Sequence, residues 1–165
     1  MYLGCRLHGG SRYNANIWRA LGRFCGAIGF NYYSVWEPDF TTLANWEAWS
    51  GKPAIITEWY TKGMDSGLIS SSGAGWVVKT QNDRGLFYEQ FVMALLESGT
   101  CVGWQWFKYR DNDPGAPASD PSNVDGNKGI INTAFQEYTA LTDRMRVINY
   151  NTYRLVDHCI ARNGW

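Results

Sequence analysis

The chain has 165 residues, enough for one sizeable core and too few for two independent ones, so a single domain over residues 1–165 is expected. Hydrophobic residues make up 45%, which excludes a disordered or low-complexity chain. Lys+Arg and Asp+Glu are 15 each, for a formal net charge of +0, with no basic stripe, amphipathic Lys/Arg-rich segment or bilayer-length apolar run; nucleic acid and membranes are excluded as partners.

A strand-like run over residues 2–7 follows Met1 directly, leaving no room for a signal peptide and reading as cytoplasmic as encoded. His8, Gly9, Gly10 and Ser11 form the loop after it. Ile17, Leu21 and Phe24 recur at helical spacing and predict a helix over about 14–25 with those three on its apolar face. A second strand covers 27–35. After Trp36, Glu37, Pro38 and Asp39, a short helix fits 42–49, stopped by Gly51 and Pro53. The third strand, 53–59, carries Glu58 at its end. A Gly- and Ser-rich loop follows over 63–75. The clearest helix, about 80–98, has Leu86, Phe87, Val92, Leu95 and Leu96 along its buried side and Gly99 closing it. A fourth strand covers 101–109, a polar loop 110–128, and a last helix begins near Asn132 or Thr133 and runs to about Ile148.

Strand, loop and helix repeated with apolar strands mean a parallel sheet covered by helices. The loops after strands are long, polar and aromatic, while the returns from helix to strand are short. That asymmetry belongs to a (β/α) barrel, whose site lies at the C-terminal ends of its strands. Four such units make half of a TIM-type barrel. The alternative is a flavodoxin-like three-layer sheet, but His8-Gly9-Gly10-Ser11 lacks GxGxxG spacing and any Walker lysine. The four cysteines show no metal-ligand spacing; Cys5 and Cys101 fall in strands and Cys25 in a helix, as reduced apolar groups. No metal and no cofactor is expected. The aromatic fraction is 16%, with Trp 9 and Tyr 10, which fits core packing and also a binding cleft lined by rings.

Three strand ends share a pattern. Pro53-Ala54-Ile55-Ile56-Thr57-Glu58-Trp59 resembles the seventh strand of the clan A glycoside hydrolase barrels. Gly29-Phe30-Asn31-Tyr32-Tyr33-Ser34 is similar to the strand before it, and Gly103-Trp104-Gln105-Trp106-Phe107 to the eighth. Asp111-Asn112-Asp113 and Gly126-Asn127-Lys128-Gly129-Ile130 resemble agarase-like and β-galactosidase-like members. The resemblance covers nearly the whole chain and the C-terminal half of such a barrel. It implies that Glu58 is the nucleophile of a retaining glycosidase, that Tyr33 hydrogen-bonds it, and that a Trp floors the sugar site.

Strand alternation adds that Glu58 shares its face with Ala54 and Ile56, which would fill a barrel interior, and that Tyr33 shares a face with Asn31 while Tyr32 packs on the other. A plain salt bridge from Glu58 to Lys52 or Lys62 is the bland alternative. Arg6 and His8, ending the first strand, are candidates to bind a sugar hydroxyl or orient Glu58. Trp36, Trp59, Trp104 and Trp106 are candidate stacking platforms, and Glu37 is the second carboxylate.

Retaining hydrolysis needs two carboxyl groups about 5–5.5 Å apart. The resemblance places the acid/base in an Asn-Glu pair on the fourth strand, and no Asn-Glu pair occurs in this chain. A complete barrel runs to about 250 residues and eight strands. Two expectations follow: hydrolysis is weak or lost without a partner acid, and the open half-barrel pairs with another chain, most simply as a homodimer. The ligand implied is a carbohydrate of galactoside or glucoside type. The reading from another class is a non-catalytic carbohydrate-binding or structural module.

Overall fold

A computed structural model describes residues 5–121 and 123–164; the part of the expected first strand before Cys5 lies outside them. In chain order they form β1 (Arg6–His8), a 3-10 turn (Gly9–Tyr13), α1 (Ala15–Gly22), β2 (Ile28–Asn31), α2 (Phe40–Ser50), β3 (Ala54–Glu58), β4 (Thr61–Gly63), β5 (Trp76–Val78), α3 (Gln81–Glu97), β6 (Cys101–Trp104) and α4 (Thr139–Asn163). The chain divides into two compact units: Met1–Trp59 with Phe91–Gln105 and Thr152–Trp165, and Tyr60–Gln90 with Trp106–Asn151.

The first unit holds a four-stranded sheet in the order β1-β2-β3-β6, every pair parallel. Spatial order follows chain order with no reversal. A doubly wound sheet reverses at a switch point, so the flavodoxin-like alternative falls away. Parallel strands alternating with helices, open at β1 and β6 among the described residues, make a partial TIM-type barrel.

Phe30 explains how the helices seat. Its ring lies 4.6 Å from Trp46 of α2 and 6.3 Å from Trp18 of α1, and the two indoles stack at 4.6 Å. All three are fully buried. The helix face expected from Ile17, Leu21 and Phe24 is thus corrected: Trp18 is the buried residue of α1, and Phe24 is 80% exposed. The helix ends at Gly22, before Phe24 and Cys25, and its last residue packs closely on α2. A Cβ on Gly22 would stand 2.1 Å from the Ser50 carbonyl oxygen.

Helix α2 starts earlier than its apolar pattern suggests because Asp39 caps it, its carboxylate accepting the Thr42 N–H at 2.6 Å. The Thr42 hydrogen bonds hold the Asp39 carboxyl below its usual range. Its contribution is therefore present at neutral pH and lost as acid protonates the carboxyl. Asp39→Ala is expected to cost about 1 kcal/mol; an unchanged urea midpoint would remove the cap from the account. Gly51 closes the helix in the left-handed conformation at φ +63.

The sheet departs from simple register at two places, between Ala54 and Ile55 against β6 and between Phe30 and Asn31 against β3, and the second bears on Glu58. Phe30 pairs with Ile56, but Asn31 pairs with Glu58, so Thr57 is the extra residue of a bulge. Ile56 lies opposite Phe30 and is fully buried with it on the helix-covered side. Glu58 is turned to the side of Asn31 and Tyr33, away from the face of Ala54 and Ile56 to which strand alternation assigned it.

In the second unit two short strands flank the Gly/Ser-rich loop expected over 63–75. There β4 and β5 pair in parallel, and the Lys62 ammonium gathers the carbonyls of Ser70, Ser72 and Gly73, at 2.8 Å from Ser72. Burial pulls the Lys62 pKa down. Its centre is Arg84, fully buried, which donates to the Thr61 and Gly129 carbonyls at 2.9 Å each and to Gln81 at 2.6 Å, sandwiched by Trp106 and Tyr138. Asp111 accepts from Asn127, the Gly129 N–H and the Tyr138 hydroxyl, the last at 2.6 Å. Both agarase-like loop motifs thus contribute to one buried polar network.

Leu86 is 45% exposed, while Phe87, Val92, Leu95 and Leu96 of α3 are buried. Helix α4 starts later than expected because the Asn132 side chain accepts the N–H groups of Ala134 and Gln136 and Phe135 is left-handed, so a turn occupies 132–136. It continues past Ile148 to Asn163 through a stretch whose Tyr150, Tyr153 and Ile160 are exposed. Cys101 and Cys159 are buried, and burial raises the Cys101 thiol to about 11. No described helix is long and apolar enough to cross a membrane.

Candidate functional site

Glu58 ends β3 at the C-terminal edge of the parallel sheet, where site residues of barrels gather. One carboxylate oxygen accepts from Arg6 Nη1 at 2.8 Å, the other from the Tyr33 hydroxyl at 2.8 Å. The Glu58 side chain is 15% exposed and that of Arg6 64%. The ion pair is therefore with Arg6, and Lys62 spends its donors on backbone carbonyls. Arg6 comes within reach because β1 and β3 flank β2 in parallel, with Arg6 opposite Gly29 and Glu58 opposite Asn31.

Asn31 is buried, and its amide oxygen accepts the Thr57 hydroxyl at 2.8 Å. This bond ties the bulged residue to β2 beside Glu58. Tyr32 packs on the other side, its ring against Trp46 and Phe91. A carboxylate offers about four acceptor positions. The Arg6 and Tyr33 bonds fix its plane and use two of them. Such a group can accept a ligand hydroxyl or act as a nucleophile.

The remaining candidates divide. His8, at the end of β1, is exposed, its backbone bonded to Ser11. Trp36 is 48% exposed in the loop after β2. Glu37 is exposed and lines a cavity of about 510 Å³ with Pro38, Asp39, Phe40, Thr41 and Ala94; Glu58 is not among its lining residues. Trp59 is 1% exposed and stacked on Phe91 at 4.2 Å, so it packs the core instead of offering a face to a ligand. Trp104 is half-buried opposite Ile56. Trp106 belongs to the second unit, where its indole donates to the Lys128 carbonyl at 2.8 Å and Arg84 lies over its ring. Two residues escape sequence reasoning altogether: Thr57, whose role depends on the bulge, and Arg12, whose guanidinium donates to the Tyr33 carbonyl at 3.0 Å. Among the described residues no group of three or more His, Cys, Asp or Glu side chains could hold a metal ion.

No protein-family model matches the chain, and no match is found among curated proteins. Among solved structures, BpGH50 matches 96% of the chain at 43% identity with a TM-score of 0.86, over 32% of its own length. An agarase, AgWH50C, matches 94% at 22% identity and a TM-score of 0.77, over 23% of its length. A β-glucuronidase of an uncultured Clostridium sp. matches 75% at 20% identity and a TM-score of 0.54, over 23% of its length. The last two likenesses are of fold alone. The chain thus spans about a third of BpGH50, and that likeness covers 96% of its own length.

Proposed function

We propose that this glycoside hydrolase-related half-barrel binds a carbohydrate of galactoside or glucoside type at Glu58, with retaining hydrolysis weak or lost unless a second carboxyl group comes from outside the chain. The observation that carries the proposal is the Glu58 carboxylate, held by Arg6 and Tyr33 at the C-terminal end of an inner parallel strand. A nucleophile must present one oxygen along a fixed line to the anomeric carbon, and two anchored donors supply that rigidity. Arg6 and His8, both exposed, are the groups for sugar hydroxyls, and Trp36, exposed in the loop after β2, is the platform. Asn31 keeps the strand end in place.

The second carboxyl is the weak point. A retaining enzyme must protonate the departing oxygen as the glycosyl–carboxylate bond forms, from a group about 5–5.5 Å away. Glu37 lines a cavity that Glu58 does not line, and the 165-residue sequence contains no Asn-Glu pair. The second reading is a non-catalytic carbohydrate-binding module. Hydrolysis of aryl galactosides and glucosides separates the two. Any turnover by the wild type should fall by at least about 10³-fold in Glu58→Gln, whereas turnover that survives would take Glu58 out of the mechanism. Binding on a glycan array without turnover supports the module.

Strands β1 and β6 leave two unpaired sheet edges among the described residues, and Val102 of β6 is 63% exposed. Exposed parallel edges recruit strands. The 165-residue chain is accordingly expected to be a homodimer, most simply with two-fold symmetry. A stable monomer by light scattering at micromolar concentration contradicts this.

A further inference from the structure

Strand β2 leaves the sheet at Asn31, and the two residues after it are held individually. Tyr32 is fixed from three sides. Its N–H donates to the Glu58 carbonyl at 2.9 Å, its ring packs against Trp46 and Phe91, and its hydroxyl accepts the Asp39 N–H at 3.0 Å. Tyr33 bears the hydroxyl that reaches Glu58, and Ser34 after it turns into the left-handed region at φ +62. A serine there needs support from its surroundings.

Arg12 contributes that support. Its Nη2 donates to the Tyr33 carbonyl at 3.0 Å. Its guanidinium carbon lies 5.2 Å from the Tyr32 ring centre and 5.6 Å from that of Phe30, within cation–π range of both. Its own carbonyl accepts the indole N–H of the fully buried Trp46 at 2.8 Å. Backbone and side chain of Arg12 are both tied to the buried aromatic cluster, and Nη2 of the guanidinium is spent on one peptide carbonyl.

We infer that Arg12 is a positioning residue for Glu58: by pinning the Tyr33 carbonyl it fixes the direction from which the Tyr33 hydroxyl meets the carboxylate. This rests on the reading of Glu58 as the centre of the site. It concerns the geometry of the carboxylate, not what binds there.

The test is carbon-13 NMR of the whole chain labelled at tyrosine Cζ, whose shift follows the phenol hydrogen bond. Tyr33→Phe identifies the Tyr33 signal, and Glu58→Gln shows where it moves when the acceptor loses its charge. Arg12→Gln is expected to carry the signal most of the way to that position. Arg12→Lys should move it less, since an ammonium can reach the same carbonyl and rings without the planar fork. Arg19→Gln, on the exposed side of α1, should leave it in place. An unmoved Tyr33 signal in folded Arg12→Gln overturns the inference. If that variant does not fold, Arg12→Lys decides in the same way: a displaced signal supports it and an unmoved one overturns it. No carbohydrate enters the measurement, so failure to bind glycans would overturn the proposed function and leave this result standing.

Discussion

Trp46→Ala is expected to lower the unfolding free energy by about 3–5 kcal/mol, the range for removing a buried large aromatic. Trp46 is fully buried, stacked on Trp18, 4.6 Å from Phe30 and 5.3 Å from Tyr32. Alanine leaves a cavity where three rings lose their partner, and it removes the indole donor from the Arg12 carbonyl. Domains of this size are stable by about 5–15 kcal/mol, so the loss is a large share of the total. Urea denaturation followed by circular dichroism measures it, and Trp46→Phe should recover part of the packing without the hydrogen bond. A loss under about 1 kcal/mol for Trp46→Ala would mean the cluster collapses to fill the gap, contrary to the close packing described.

Arg84→Met should cost a similar amount by a different route, since each buried acceptor left unsatisfied costs about 1–3 kcal/mol. Methionine retains most of the apolar stem but strands the Thr61 and Gly129 carbonyls and the Gln81 amide oxygen, all of which accept from Arg84. It also withdraws the cation from the Trp106 and Tyr138 faces. Burial lowers the Arg84 pKa to about 10, which leaves it charged at neutral pH. Arg84→Lys should recover little, because one ammonium cannot serve three acceptors that diverge around a planar fork. Hydrogen exchange at β4 and α3 is the local readout. Unchanged protection there in Arg84→Met would show that the network is dispensable.

The Arg6–Glu58 pair should contribute little to stability, since Arg6 is mostly exposed and surface pairs are worth about 0–1 kcal/mol. Its value lies in orienting the carboxylate. Substitutions at Arg6 are accordingly a matter of site geometry, whereas those at Trp46 and Arg84 are a matter of folding.

Much of the architecture is legible in the chain because it depends on local pattern. Leu95 and Leu96 recur with Phe87 and Val92 at helical spacing, and α3 forms there. The apolar run before Glu58 is a strand because β-branched residues and a preceding Gly–Lys–Pro break leave little else. Strand and helix alternation alone implied parallel strands, and the chain shows them. The shorter extents of β2 and β6 were not legible, since strand ends depend on where the neighbouring strand stops. Nor was the length of α4. Its buried side, Leu141, Met145, Ile148 and Cys159, is sparse, and its solvent side carries Tyr150 and Tyr153, 88% and 86% exposed.

What the sequence determined by itself was the order of elements and the placing of a carboxylate at the end of a parallel strand, since both follow from residue type and period along one segment. The tertiary structure decided the face. One extra residue in β3, Thr57, rotates Glu58 from the helix-covered side to that of Asn31 and Tyr33. It also decided the partners. Arg6 and Tyr33 are far apart in the chain from Glu58 and meet it through parallel register, while Arg12, bonded to Trp46, reaches the Tyr33 carbonyl behind them. Side-chain direction in a sheet is a relation between strands, and a single strand's spelling does not contain it.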